Sequence, residues 1–243
     1  MKISIVVPAY NEERLLAQSL AQIRTAGEVL LGRGWEIELI VCDNNSTDQT
    51  AAIAREAGAQ VVLEPVNQIS RARNRGADAA TGDWLWFIDA DSFPSAELFE
   101  RTAAEIERGQ AVAIGTTFQF DDVPWFVRAV AGVWKMWSLV MSHMAGSFVV
   151  VESRAFRAVD GFSAEFFAGE EVDLSIRLNR WGKQQTPRRR VVVLSGVPLL
   201  TSGRKAHLYS AKENARFLLR ALFAPLRTMR RKEDCSIWYD GRR

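Results

Sequence analysis

The sequence predicts an α/β fold, a mostly parallel sheet flanked by helices, on three observations. Short apolar runs alternate with helical segments, each run stops in a polar cluster, and one of them, Trp84 to Ile88, delivers Asp89 and Asp91 at its end. Strands alternating with helices imply parallel pairing with right-handed crossovers, and ligands of such sheets bind beyond the carboxyl ends of the strands.

Taken in order, Ile3 to Val7 is a β-rich run stopped by Pro8, and Ala9-Tyr10-Asn11-Glu12-Glu13 leads into a helix. The second run, Ile37 to Cys42, ends in Asp43-Asn44-Asn45-Ser46-Thr47-Asp48, an Asx/Ser cluster that reads as a turn and helix cap. A third, Gln60 to Leu63, precedes Ile69 to Ala77, a helix opening rich in guanidinium groups. The fourth reads as a buried strand. On an extended chain Asp89 and Asp91 share a face and can share a cation or a pyrophosphate; a buried pair of like charges needs such a counter-ion. By itself an Asp-x-Asp is more often a solvated turn, so its weight comes from the company it keeps. Further on, Gly169 to Leu178 is a helix opened by carboxylates.

Five motifs stand in order: Val6-Val7-Pro8-Ala9-Tyr10-Asn11-Glu12-Glu13, Asp43 to Asp48, Arg71-Ala72-Arg73-Asn74-Arg75-Gly76-Ala77, Asp89-Ala90-Asp91, and Gly169-Glu170-Glu171-Val172-Asp173-Leu174. In this order and spacing the chain resembles the inverting glycosyltransferases of family 2, over roughly residues 1 to 205. The resemblance implies the GT-A fold with a Rossmann-like nucleotide-binding half, and transfer of a sugar from a nucleoside diphosphate, UDP favoured, to a hydroxyl acceptor. It places Mg²⁺ or Mn²⁺ on Asp91, with Asp89 leaning toward the ribose or a metal-bound water. It places Asp43 at the nucleobase, Pro8, Tyr10 and Glu12 along the nucleotide pocket, and Arg71, Arg73, Ala90 and Arg204 in the same nucleotide-sugar set. Family members commonly have Glu-Asp where this chain has Glu170-Glu171, so by position Glu171 ranks first as the base and Glu170 second. Clustered carboxylates raise one another's pKa, which suits a base. His207 falls where many GT-A enzymes place a late metal-side histidine, with a structural role as the alternative. His143, Gly146 and Ser147 border the acceptor.

With 243 residues, 48% hydrophobic and 25% charged, the chain fits one α/β domain with a substantial core. We expect a catalytic domain over 1–205 and a basic amphipathic extension over 206–243 packed on it. Met1-Lys2 runs straight into the first strand with no signal peptide, so the expected location is the cytoplasm. Cys42 and Cys235 have neither disulfide context nor metal-ligand spacing. From Arg204 onward 11 Lys/Arg face 4 Asp/Glu, leaving 20 against 25 before it. Arg216, Arg220 and Arg227 recur beside Leu218, Leu219 and Leu222; this segment suits either an anionic membrane on the inner face or a core-packed helix. Nucleic acid is not indicated, because no binding motif accompanies the charge. Trp125 to Met141 is apolar, yet Arg128 and Lys135 interrupt it, so it reads as amphipathic and not transmembrane. Its stripe Phe126, Val130, Val133 and Trp137 packs on the sheet by default; lining a lipid-linked acceptor site or dipping into a membrane interface are the other fates. Three other functions stay open: a sugar-nucleotide nucleotidyltransferase, whose Gly-rich start and signature Lys are missing; a non-catalytic nucleotide-sugar module; and a membrane-surface scaffold.

Overall fold

The computed structural model describes residues 1–123, 125–144, 146–204, 228–235 and 239. Its first half is the expected alternation: β1 (Lys2–Ala9), α1 (Leu16–Leu31), β2 (Glu36–Asp43), α2 (Thr50–Glu56), β3 (Gln60–Leu63), α3 (Ile69–Ala79) and β4 (Trp84–Ile88). β1 lies parallel between β2 and β4, and β3 is parallel to β2, with Ala9 opposite Asp43 at the carboxyl ends. The second half is mixed. After β5 (Ser92–Phe93) and α4 (Ala96–Glu107) come β6 (Ala111–Phe120), α5 (Trp125–Met141), β7 (Phe148–Glu152), α6 (Ser153–Ala158), α7 (Glu170–Lys183) and β8 (Arg190–Thr201). The eight strands run in the order β3-β2-β1-β4-β7-β6-β8-β5. β7 is antiparallel to both β4 and β6, β8 is parallel to β6, and β5 is antiparallel to β8. Three antiparallel contacts therefore stand against four parallel ones.

β4 is the hub, and its period-two alternation builds two cores. Trp84, Trp86 and Ile88 face one side, where Trp86 meets Phe99 and Phe148 edge-on at 4.8 and 5.9 Å, and α1 delivers Leu16, Leu20, Ile23 and Leu30 at helical spacing. Leu85 and Phe87 face the other side, packed with Phe156, Phe162 and with Leu174 and Leu178 of α7. α3 crosses β1 closely at Gly76, where an added Cβ would stand 2.3 Å from Val6 Cγ1, so the helix that carries the arginine motif is held tight to the sheet.

The strand expected to carry both aspartates stops short of them. The Ser92 N–H bonds back to the Asp89 carbonyl at 3.1 Å, so Asp89 to Ser92 is a turn and strand alternation no longer fixes the direction of the two carboxylates. Among the described residues no helix is long and apolar enough to cross a membrane. His207 and Arg216 to Arg227 lie outside the described residues, as do the side chains of Phe126 and Val130. Of the stripe on α5, Val133 is 73% exposed and does not pack on the sheet. Trp137 is half-buried.

Candidate functional site

The polar clusters at the ends of β1, β2 and β4 meet at one edge of the sheet. Asn11 adopts a left-handed φ of 52°, which lets its backbone N–H reach Ser46 Oγ at 3.0 Å while its side-chain oxygen accepts from Thr47 N–H at 2.8 Å. Glu12 N–H donates to Thr50 Oγ1 at 2.8 Å, so the loop after β1 is stitched to the start of α2. Asp43 is 8% exposed, and one of its oxygens accepts from Ser46 N–H at 3.1 Å, an Asx-type turn. Pro8 is buried and Tyr10 half-buried beside it along the chain. Asn44 donates to the carbonyls of Glu64 and Val66 at 3.1 and 2.7 Å and accepts from Gln68 N–H at 2.9 Å, fixing the entry to α3. Arg71 is exposed and donates to Gln68 Oε1 at 3.2 Å.

Arg73 sits at the centre, 1% exposed. Its Nη1 donates to Glu170 Oε1 and to Glu171 Oε1, both at 2.9 Å, and its Nη2 to Asp89 Oδ1 at 2.9 Å. The guanidinium also lies over the Phe162 ring, 5.2 Å from its centroid. Burial by itself would lower the Arg73 pKa, but Asp89, Glu171 and Glu170 together raise it well above the usual range. One planar fork thus joins the turn after β4 to the first turn of α7. Gly169, at φ 74°, opens that helix, whose first turn holds Glu170, Glu171 and Asp173 where the helix dipole favours negative charge. The two glutamates differ in setting. The Glu170 side chain is 3% exposed and that of Glu171 12%. Burial first, then the neighbouring Glu171 charge, push the Glu170 carboxyl up to about 8, with Arg73 opposing them.

A stability test follows with a definite sign. The ordinary Glu value is 4.5 and the folded value is higher, so unfolding releases a proton between those two pH values, and stability falls as pH rises from about 4.5 to about 8. Glu170→Gln keeps an oxygen for Arg73 and removes the titration. Its melting temperature relative to the parent chain is expected to climb across that window; a constant difference from pH 5 to pH 8 would show that Glu170 does not titrate there.

The predicted acceptor loop is bonded to the same centre. Ser147 C=O accepts from Asp89 N–H at 3.2 Å, Met144 N–H donates to Ser175 Oγ at 2.9 Å, and Ser175 Oγ donates to the Glu171 carbonyl at 2.7 Å. Gly146 takes φ 78° against the Phe118 ring. His143 stacks edge-on against Trp137 at 5.0 Å, and burial lowers its pKa. On the other flank Ser202 N–H donates to the Asp91 carbonyl at 3.0 Å, which draws the end of β8 against the 5% exposed Asp91. Arg204 follows, pairing with Glu12 at 2.6 Å while its Nε and Nη1 are buried without a hydrogen-bond partner. Neither this pair nor the Arg73 fork was legible in the sequence, since both join segments far apart in the chain. Residues from the C-terminus also reach the site: Phe167 N–H donates to Met229 C=O at 2.7 Å, and Ile69 N–H to the Tyr239 hydroxyl at 3.3 Å.

The donors are oxygens, the preference of Mg²⁺ and Mn²⁺. Among the described residues no group of three or more His, Cys, Asp or Glu is arranged to hold a metal, and Asp89 Oδ1 is engaged by Arg73. Asp91 and Asp89 are the oxygen-bearing residues of this turn that could hold such an ion.

A family model described as glycosyl transferase family 2 matches residues 4–160. An uncharacterized glycosyltransferase of Mycobacterium tuberculosis is 34% identical over 142 residues, 58% of this chain and 61% of the relative, so the chain spans less than two thirds of that relative's length. An undecaprenyl-phosphate 4-deoxy-4-formamido-L-arabinose transferase of Enterobacter is 33% identical over 132 residues, 51% of this chain and 39% of the relative. Among solved structures, residues 1–349 of TarS from S. aureus superpose with a TM-score of 0.63 at 16% identity, covering 99% of this chain and 78% of that one. The mannosyltransferase PcManGT of Pyrobaculum calidifontis, solved with GDP-Man and Mn²⁺, gives 0.65 at 18% identity, covering 88% and 59%. At these identities the likeness is one of fold.

Proposed function

The chain belongs to glycosyl transferase family 2, and from that premise we propose an inverting, metal-dependent glycosyltransferase that moves a sugar from a nucleoside diphosphate to a hydroxyl acceptor. Glycosyl transfer comes with the family and the GT-A fold with the structural neighbours. The observation that supports the rest is the Arg73 fork, which holds the aspartate turn and the two glutamates of α7 as one charged unit. A donor-holding group and a base must stand at a fixed separation for in-line displacement, and a buried fork supplies that rigidity. Arg73 therefore serves in this reading to position carboxylates, and its Nε, buried without a hydrogen-bond partner, is the donor it has left for phosphate.

In this reading Asp91 holds the Mg²⁺ or Mn²⁺, whose contribution when bound is to offset charge on the departing diphosphate. The unbonded Nε and Nη1 of Arg204 are suited to the same diphosphate, and Asp43, Pro8, Tyr10 and Glu12 to the nucleoside. Glu171, the more open glutamate, takes the proton of the acceptor hydroxyl, delivered along the loop of His143, Gly146 and Ser147. UDP is the favoured carrier: TarS was solved with UDP-GlcNAc and glucosyl-3-phosphoglycerate synthase of M. tuberculosis with UDP and Mn²⁺, while PcManGT was solved with GDP-Man. Residues 1–205 form the catalytic unit and 206–243 a basic extension, which gives the protein a peripheral place at the inner face of a membrane.

A panel of radiolabelled UDP, GDP, CDP and dTDP sugars with Mn²⁺ tests the assignment. One donor should be hydrolysed or transferred, EDTA should stop it, and Asp91→Asn should stop it while leaving the melting temperature near that of the parent chain. Full turnover in EDTA would end the metal assignment. Donor binding in a thermal-shift assay without turnover of any donor would favour a non-catalytic nucleotide-sugar module.

A further inference from the structure

α5 presents an apolar face to solvent. Val133 is 73% exposed, Met136 62%, Val140 75% and Met141 49%. At about 100° per residue, Val133, Met136 and Val140 fall within roughly 60° of one another on the helix surface. The helix is anchored along a different side, where Ser138 is buried with its hydroxyl donating to the His143 carbonyl at 2.6 Å, and Trp137 stacks on His143. Three large apolar side chains in a row, open to water, form a candidate docking surface.

The charges on the helix indicate which partner. Trp125–Met141 contains Arg128 and Lys135, both exposed, and no Asp or Glu. Lys135 is one residue, about 100°, from Met136, and Arg128 lies two turns earlier about 20° from Lys135, so both cations stand on one side of the apolar stripe. Their long stems can lie along apolar surface with the charges above it. The acids nearest in sequence, Asp121 and Asp122, precede the opposite end of the helix, and Asp121 accepts from Gly203 N–H at 2.6 Å. A second copy of the chain docked by the same face would bring these cations together with no acid on the helix to offset them.

We propose that this face of α5 docks on an anionic lipid bilayer, with Val133, Met136 and Val140 at the acyl boundary and Arg128 and Lys135 at the level of the headgroups. The consequence for the reaction rests on the proposed glycosyl transfer. α5 runs directly into the loop of His143, Gly146 and Ser147, whose Ser147 carbonyl is bonded to Asp89. Docking holds the acceptor side of the site near the membrane plane, so the acceptor it suits is an amphiphile whose hydroxyl or phosphate lies among the headgroups.

The test is co-sedimentation of the full chain with phosphatidylcholine vesicles, with and without phosphatidylglycerol, at low and high salt. The parent chain should bind the phosphatidylglycerol vesicles, more weakly in high salt. Met136→Glu/Val140→Glu, two outward positions, should weaken that binding on the order of tenfold with the melting temperature unchanged. Charge reversal at Arg216, Arg220 and Arg227, run in parallel, reports on the C-terminal segment separately. Parent-level binding by the α5 variant, or no vesicle binding by the parent chain, would overturn the proposal. So would a change from dimer to monomer in sedimentation velocity with vesicle binding unaltered, which would assign the face to a second copy. Donor hydrolysis without acceptor is measured on the same samples. Its absence from the parent chain would count against the proposed transfer reaction and not against the docking, which the vesicles decide.

Discussion

Arg73→Ala is expected to lower the unfolding free energy by about 3–5 kcal/mol, the usual cost of removing one partner from a buried ion pair, and to abolish sugar transfer. The size follows from what the substitution leaves behind. Asp89, Glu170 and Glu171 would remain at one site without a counter-charge, with the Glu170 side chain 3% exposed. With Glu170 already protonated below about pH 8, Asp89 and Glu171 cannot both stay ionised there unpaired, so the cluster must take up a further proton, admit water or swing apart, which loosens the aspartate turn from α7. Arg73→Lys restores the charge but not the fork, because a single ammonium cannot keep three carboxylates in one plane. It should recover much of the stability and little of the rate. Denaturant unfolding measures the first and donor turnover the second; an alanine variant within about 1 kcal/mol of the parent chain would mean that the carboxylates neutralise without Arg73.

Glu171→Gln is expected to slow transfer by about 10² to 10⁴, the usual worth of a general base, while donor binding and the metal requirement persist. The amide keeps an oxygen for Arg73 Nη1, so the geometry that Glu171 shares with Glu170 survives and only the proton acceptor is lost. Single-turnover rates with saturating donor isolate this step from binding. The exchange chemistry distinguishes the two glutamates: if Glu170→Gln costs the larger factor and Glu171→Gln little, the base is Glu170, and because its carboxyl is pushed up to about 8 the parent rate should rise with pH toward that value. Equal losses would assign the role to the pair as a unit.

The sequence by itself determined the parts of this protein that rest on local physics. Short apolar runs and turn chemistry marked β1 to β4 and put a polar cluster at the end of each, because an apolar run and its terminating Asx, Pro or Asp residues are written within a few positions. That Trp125 to Met141 forms a helix was legible for the same reason, but which face it exposes was not, since Val133 of the expected packing stripe is 73% exposed. Tertiary structure decided the rest. The antiparallel insertion of β7 between β4 and β6 depends on long-range pairing, and apolar runs such as Ala111–Phe120 carry no signal of direction. The turn at Asp89 replaced the expected extended register once Ser92 bonded back to it. Arg73 and Glu170, 97 positions apart, meet because α3 is pressed on Val6 of β1 through Gly76 while α7 packs its Leu174 and Leu178 on the same face of the sheet. Which of two adjacent glutamates is buried, and which arginine among Arg71, Arg73 and Arg75 supplies the counter-charge, is set by that docking. Residue type fixes what a side chain can do; the packing of α3 and α7 against the sheet fixes which one does it.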